Sequence, residues 1–345
     1  MKTLVWEAPR SMNIREQDTP SIQPDEVLIK VAFAGICGSE LSGYLGHNKL
    51  RVPPLVMGHE FSGEIVAIGA RAIHLNPALA QGQRVTANPF SSCGACRFCA
   101  QGLNHLCASR KLIGAHRPGA FAEYVSVPAN LVLLLPDNVS FQTGAITEPV
   151  AVGIRIGELA GLLDGESALV IGAGPIGLLA LQVLLAKGAR SVFIADLDPA
   201  RLAMGESLGG VPLDPGKLNT PETVRKATEG LGVAVSVDAV GMAVTRAGCI
   251  AATRSAGTVI FSGLHEETST IPAAEIIRRE INVRGSFAYT PANFAEALQQ
   301  IAAGTLRLDP WIVEAPLESG GKWFERLLSA RGDVAKVLLI PNANA

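Results

Sequence analysis

The sequence has no surplus of either charge. Its 345 residues carry 29 Lys and Arg against 31 Asp and Glu, a net charge of −2 at neutral pH. A nucleic acid or an anionic bilayer is met by a basic surface, so neither is expected as a partner. Cysteine is scarce, with six in all. The opening residues, MKTLVWEAPR, lack the apolar stretch and small-residue cleavage site of a secretory signal, and the expected location is the cytoplasm. There is no internal repeat and no low-complexity linker. Long uncharged runs are absent with one exception, the nineteen residues ALVIGAGPIGLLALQVLLA from Ala168 to Ala186. Length alone would let this run cross a bilayer. Three glycines and a proline in its first half argue instead for a buried strand, a glycine turn and a buried helix.

What is present points to an α/β protein of about two domains, at roughly 150 residues each. Up to about residue 150, short apolar runs (VLIKVAFAGICG, GEIVAIG, QRVTANPF, AEYVSVP, LVLLLP) are broken by Gly and Pro, the pattern of a β-rich unit with many turns. From Leu169 strand-like and helix-like segments alternate: LVIG, a helical run to Lys187, SVFIAD, PARLAMGESLG, AVSVDAVG, GTVIFSG and INVRGS. That alternation predicts βαβ units and a doubly wound parallel sheet. The tail holds one amphipathic helix, NFAEALQQIAAG, and ends in KVLLIP.

Gly172-Ala-Gly174-Pro175-Ile176-Gly177 reads G-x-G-x-x-G between a strand and a helix, the context that makes this motif a dinucleotide site. Gly172 allows the tight turn, Gly174 lets a pyrophosphate approach the backbone, and Gly177 lets the helix pack against the strand. Pro175 suits the first helical position, and the free N–H groups at the helix start attract phosphate. Asp196, nineteen residues after Gly177, ends the next strand where a ribose-binding acid belongs. A 2′-phosphate placed there would face a like charge, at a cost of up to ~4 kcal/mol. NAD is therefore expected rather than NADP, with Arg190 and Arg201 as the charges that would favour the other choice.

Cys93, Cys96, Cys99 and Cys107 read C-x2-C-x2-C-x7-C. Four thiolates on one loop can close a tetrahedral zinc shell with no open position. An iron–sulfur cluster and disulfides are the alternatives. The bacterial iron–sulfur signature ends C-x3-C-P, which this spacing lacks, and clustered thiols of a reducing compartment usually hold metal. A filled shell binds no substrate, so the reaction is expected elsewhere. Cys37 in GICGSE, His59 and Glu60 in MGHEFSGEIVAIG, and Glu148 in AITEPVAVG are the candidates. Each also has a plain structural reading, and spacing alone does not join them.

Taken together, GHEFSGEIVAIG, GICGS, the four-cysteine loop, GAGPIG and the strand–helix series to KVLLIP resemble the zinc-containing medium-chain alcohol dehydrogenases over essentially the whole chain. TEPVAVG, LIGAHRPGAFAEYV and IRREINVRGSF are similar to the sorbitol and galactitol-1-phosphate dehydrogenase branch. The resemblance implies a GroES-like catalytic domain from residues 1–152, carrying the structural zinc loop 93–107 and completed by 288–345, with a Rossmann NAD-binding domain at 153–287. It implies two Zn2+ per chain. Cys37, His59 and Glu148 would bind the catalytic ion, with Glu60 ligating directly or exchanging with water, and the four loop cysteines would bind the structural one. Gly172, Gly174, Pro175, Ile176, Gly177, Asp196 and Arg201 would bind NAD.

A thiolate, an imidazole and a carboxylate leave zinc an open position, and zinc brings the pKa of bound water to about 7. An alcohol oxygen there should respond in the same way. Ser39 is the candidate hydroxyl for the departing proton. Many relatives place a histidine five residues after the catalytic cysteine; here that position is Ser42, which leaves the proton route open. Tyr44, Arg51, His116 and Arg117 are candidate substrate contacts. The expected activity is NAD-dependent oxidation of a polyol or related secondary alcohol by a homodimer or homotetramer. The alternatives are a threonine- or simple-alcohol dehydrogenase and a non-catalytic nucleotide- and zinc-binding sensor.

Overall fold

The structure, a computed structural model, describes residues 1–308, 311–329, 332 and 334–342. The chain divides into two units. The first takes Met1–Glu148, Thr290–Gly304 and Ile312–Ala345; the second takes Pro149–Tyr289 and Thr305–Trp311.

In the first unit a seven-stranded sheet supplies the frame. Strand Glu26–Gly35 lies between Glu60–Ile68 and Lys336–Ile340, antiparallel to both. The tail therefore returns to pair with the first third of the chain. Trp6, Phe61, Phe121, Phe324 and Leu339 are among the side chains of a continuous core, with Phe121 and Phe324 edge to face at 6.1 Å. The strand Tyr124–Pro128 alternates buried and half-buried positions, the period-two signature of a sheet with one packed face. Two elements have no counterpart among the segments expected from the sequence: the hairpin Lys2–Ala8/Ser11–Glu16 and the helix Gly320–Ser329.

In the second unit six strands pair in parallel. Their spatial order is Val211–Leu213, Ser191–Ala195, Ser167–Ile171, Val233–Asp238, Thr253–Phe261, Asn282–Gly285. Counted along the chain this is third, second, first, fourth, fifth, sixth, the doubly wound arrangement of a Rossmann sheet. Ser167–Ile171 and Val233–Asp238 are buried at every position, as strands covered on both faces must be. The uncharged run from Ala168 resolves into strand Ser167–Ile171, the glycine turn and helix Pro175–Ala186, of which Gly177 through Leu184 are all buried. Its apolar character comes from a central position in a protein core. Among the described residues no helix is long and apolar enough to cross a membrane.

The division into units follows packing more than sequence punctuation. It falls between Glu148 and Pro149, inside the continuous helix Thr147–Ala160, rather than after residue 152. The segment Thr305–Trp311, expected within the tail of the catalytic unit, packs with the second unit. Gln182 holds Arg307 through both backbone groups, at 2.8 and 3.2 Å, and the Arg307 guanidinium donates to the Ser207 carbonyl at 2.8 Å.

Candidate active site

Strand Glu26–Gly35 ends just before Cys37, which caps the short helix Gly38–Tyr44. On the neighbouring strand Glu60 pairs in register with Gly35. Sheet register thus carries residues 37 and 59–60 to one spot, and atoms of Cys37, His59 and Glu60 lie within 4.8 Å of one another. Glycine is required at position 35, because a Cβ there would sit 2.2 Å from Glu60 Oε2. Gly58, immediately before the pair, has φ +102°, and a Cβ on it would meet the backbone N of Phe121 at 2.6 Å. That left-handed turn aims His59 and Glu60 inward.

Two charged partners at this spot, Glu40 and Lys336, are not among the residues expected from the sequence. Glu40, fully buried, accepts the His59 Nδ1–H at 2.9 Å, the Gly58 N–H at 2.8 Å and the Cys37 N–H at 3.0 Å. Because a carboxylate can only accept, this contact leaves Nε2 of His59 as the free ring nitrogen. Burial pushes the Glu40 carboxyl up, but His59, Arg51 and the Cys37 N–H together hold it below its ordinary range. Burial lowers the His59 pKa in turn, while Glu40 and Cys37 raise it further than burial lowers it, to well above the usual value. Lys336, 2% exposed, donates to both oxygens of Glu60, at 2.7 and 2.8 Å, and to the carbonyl of Ile36 at 3.1 Å. Burial would neutralise this ammonium, but Glu60, Cys37 and Glu148 keep it charged and its pKa high. Glu40 carried a weak signal, a carboxylate three residues after Cys37. Lys336 carried another, a lone charge at the head of an apolar strand.

Glu148 is buried in the first turn of helix Thr147–Ala160. It lies outside the compact Cys37–His59–Glu60 group, yet its charge is felt by Lys336. Ser39 Oγ donates to Cys37 Sγ at 3.4 Å and accepts from Arg51 at 3.3 Å, and Arg51 also donates to the Ser39 carbonyl at 3.2 Å. Of the side chains expected near substrate, Arg51 is thus committed to Ser39. Arg117 is paired with Glu26 at 2.6 Å and with Ser126, Tyr44 is buried against Glu325 at 2.7 Å, and His116 Nδ1 accepts the Leu112 N–H. Glu26 thus balances the charge of Arg117.

Three carboxyl groups (Glu40, Glu60, Glu148) and the Cys37 thiol face two permanent cations, Arg51 and Lys336. The raised pKa of His59 makes it a third cation while no metal is present, and a divalent cation bound there would displace its proton and take over that charge among the acids. The donor set of sulfur, imidazole and carboxylate is that of zinc.

The second cluster is self-contained. Cys96 caps the helical turn Arg97–Ala100, Cys107 follows the turn Asn104–Leu106, and the sulfurs of Cys93, Cys96, Cys99 and Cys107 lie within 4.8 Å of one another. Neighbouring sulfurs are 3.5 to 3.9 Å apart. Tetrahedral zinc with bonds of ~2.3 Å demands about 3.8 Å, whereas a disulfide needs about 2.05 Å. All six cysteines are free. The N–H groups of Ala95 and Cys96, with help from Cys107, bring the exposed Cys93 thiol down to about 6, so it meets a metal as thiolate at neutral pH.

In the second unit each glycine of the turn has its own steric reason. Gly172 has φ +102°. A Cβ on Gly177 would fall 1.7 Å from the Gly172 carbonyl oxygen, and one on Gly174 would meet nothing within 4 Å. Open space before Gly174, the cap of helix Pro175–Ala186 with Pro175 at its start, is what an approaching pyrophosphate needs. Half-buried Asp196 is fixed by the N–H groups of Ala173 (2.8 Å) and Asp198 (2.9 Å). The buried Nε of Arg201, on the following helix, has no hydrogen-bond partner. An open cradle, an oriented carboxylate and an unsatisfied guanidinium nitrogen fit a dinucleotide.

The chain is similar in sequence and fold to known proteins. Residues 23–137 match the alcohol dehydrogenase GroES-like domain, and residues 175–303 match the zinc-binding dehydrogenase family. D-arabitol-phosphate dehydrogenase of Enterococcus avium is 33% identical over 99% of this chain and 98% of its own. The crystal structure of galactitol-1-phosphate dehydrogenase from Escherichia coli is 30% identical, with a TM-score of 0.90 over 99% of this chain and 100% of that one. A putative zinc-binding dehydrogenase from Sinorhizobium meliloti 1021, bound to NADP, is also 30% identical, with a TM-score of 0.92 over 99% of both chains.

Proposed function

The chain belongs to the zinc-binding dehydrogenases, and from that premise we propose that it oxidises a secondary alcohol of a polyol, a sugar alcohol or its phosphate to the ketone, with NAD+ as hydride acceptor. The observation that carries this reading is the meeting of Cys37, His59 and Glu60, a sulfur, an imidazole and a carboxylate whose ligand atoms lie within 4.8 Å of one another. We assign ligation of a catalytic zinc to Cys37, His59 and Glu148, with Glu60 beside them, and of a structural zinc to the four loop cysteines. The catalytic ion supplies Lewis acidity toward an alcohol oxygen, and NAD+ supplies the hydride acceptor.

The protein's own groups do the rest. Glu40 fixes the His59 ring and keeps Nε2 turned to the metal position. Lys336 occupies both oxygens of Glu60, so this carboxylate places charge near the reacting atoms and is held back from the metal position. Ser39, held by Arg51 and donating to Cys37 Sγ, is the hydroxyl that we assign to proton exit. The Asp196 carboxylate, oriented by the turn itself, favours the free ribose hydroxyls of NAD over a 2′-phosphate. The similarity to the arabitol-phosphate and galactitol-phosphate enzymes supports a polar alcohol as substrate. We place the enzyme in the cytoplasm as a homodimer or homotetramer, which light scattering would resolve.

The deciding experiment is a screen of polyols, phosphorylated polyols, threonine and simple alcohols with NAD+ and NADP+, read at 340 nm. Reduction of NAD+ by a polyol is expected. Reduction by threonine or simple alcohols alone would transfer the assignment to that branch. Binding of cofactor without reduction by any substrate would make the protein a sensor.

A further inference from the structure

The second unit contains a polar assembly that the chemistry above does not use. Asp238, at the carboxyl end of strand Val233–Asp238, has a fully buried side chain and accepts the N–H groups of Val240 (3.0 Å) and Gly241 (2.9 Å). Its counter-charge is Arg246, whose Nε lies 3.7 Å away and whose guanidinium stands 5.8 Å from the Phe261 ring centroid. The same guanidinium donates to the carbonyls of Gly263 (3.3 Å) and Glu266 (3.1 Å) and to Ser269 Oγ. Glu266 closes the ring by accepting the Ala243 N–H (2.7 Å) and Ser269 Oγ–H (3.2 Å), which caps the helix Ala243–Ala252 that carries Arg246.

This ring ties together two loops that already touch. A Cβ on Gly241 would lie 2.3 Å from the Gly263 carbonyl carbon, and one on Gly263 would lie 2.2 Å from the Gly241 nitrogen. The first loop also meets the phosphate turn, since Val240 Cγ2 is 2.7 Å from where a Gly172 Cβ would be. The phosphate turn, residues 239–242 and residues 262–269 therefore form one continuous ledge along the carboxyl ends of three adjacent strands.

A dinucleotide lies across such an edge at the point where strand order reverses, with one mononucleotide on each half of the sheet. Here the reversal falls between Ser167–Ile171 and Val233–Asp238. The adenosine half goes to the side of Asp196, and the other half goes to the ledge that Arg246 holds. We propose that Arg246 is a positioning residue for the nicotinamide half of the cofactor: by tying residues 263–269 to the Asp238 turn, it sets the surface on which the nicotinamide mononucleotide rests. The inference depends on the dinucleotide reading above.

The test measures NADH and ADP-ribose affinity by calorimetry on the full chain. Arg246→Met should weaken NADH about 10- to 100-fold, the equivalent of one or more lost charge-assisted hydrogen bonds, while ADP-ribose changes by less than about 2-fold. Ser269→Ala, a smaller perturbation suited to the case in which Arg246→Met does not fold, should weaken NADH about 3- to 10-fold with the same selectivity. Equal weakening of both ligands in a folded variant, or unchanged NADH affinity, would overturn the proposal. A wild-type chain that binds neither NADH nor ADP-ribose would instead overturn the dinucleotide reading itself.

Discussion

Cys93, Cys96, Cys99 and Cys107 come from a single loop of fifteen residues, and every group they need is inside it. The cluster at Cys37 is assembled from separate strands and a helix, and the Lys336 bond to Ile36 spans 300 positions of sequence. The loop offers four thiols, the number that a closed tetrahedral shell takes. The pocket offers mixed donors inside a set of buried charges that balance only in company. A closed site keeps its shape locally. An open site must have its shape and its charge imposed by surrounding structure, because the position left for substrate contributes nothing to holding it together.

Substitutions at the two clusters should break this comparison most visibly. Cys37→Ser is expected to lower turnover about 1,000-fold or more, with NADH affinity and fold unchanged by calorimetry and circular dichroism. Cys96→Ser should do the opposite, reducing zinc from about two per chain to about one and lowering the melting temperature while the surviving enzyme keeps its kcat at low temperature. A stable Cys96→Ser protein with selectively damaged chemistry would reverse the division of labour.

Lys336→Met sharpens the same contrast through charge. It strands the Glu60 carboxylate in the core and should cost about 3–5 kcal/mol of stability in denaturant titrations, part of it recovered in the Lys336→Met/Glu60→Gln double variant. The loop has no such dependence on a distant cation. The smallest effect concerns reactivity. In metal-stripped protein at pH 7, iodoacetamide should label Cys93 first, because its thiol ionises near pH 6. Labelling should slow as pH falls through 6, where the thiolate is protonated. Cys249, whose thiol is pushed well up by burial and by Asp238, should stay unlabelled in the native state.

The cysteine loop, the glycine turn and the alternation of strands and helices in the second unit were legible because each is local. Chain order alone brings the four sulfurs together, and Gly172, Gly174 and Gly177 answer steric demands from within their own strand–turn–helix unit. The partners of the reaction pocket were not legible. Glu40 and Lys336 look like ordinary charges until Gly35, paired with both Glu60 and Leu338, leaves the gap over which Glu60 and Lys336 meet. Arg51 suggested a substrate contact, and tertiary packing gave it to Ser39. Thr305–Trp311 read as part of the tail until Gln182 claimed Arg307.

By itself, then, the sequence determined which groups this protein can bring to chemistry: four clustered thiols, a G-x-G-x-x-G turn and the cysteine, histidine and glutamates proposed as ligands. Only the tertiary structure decided which charges stand beside those groups. Hydrogen-bonded turns are written in neighbouring residues, whereas the balance of a buried pocket depends on strands that pair across the length of the chain.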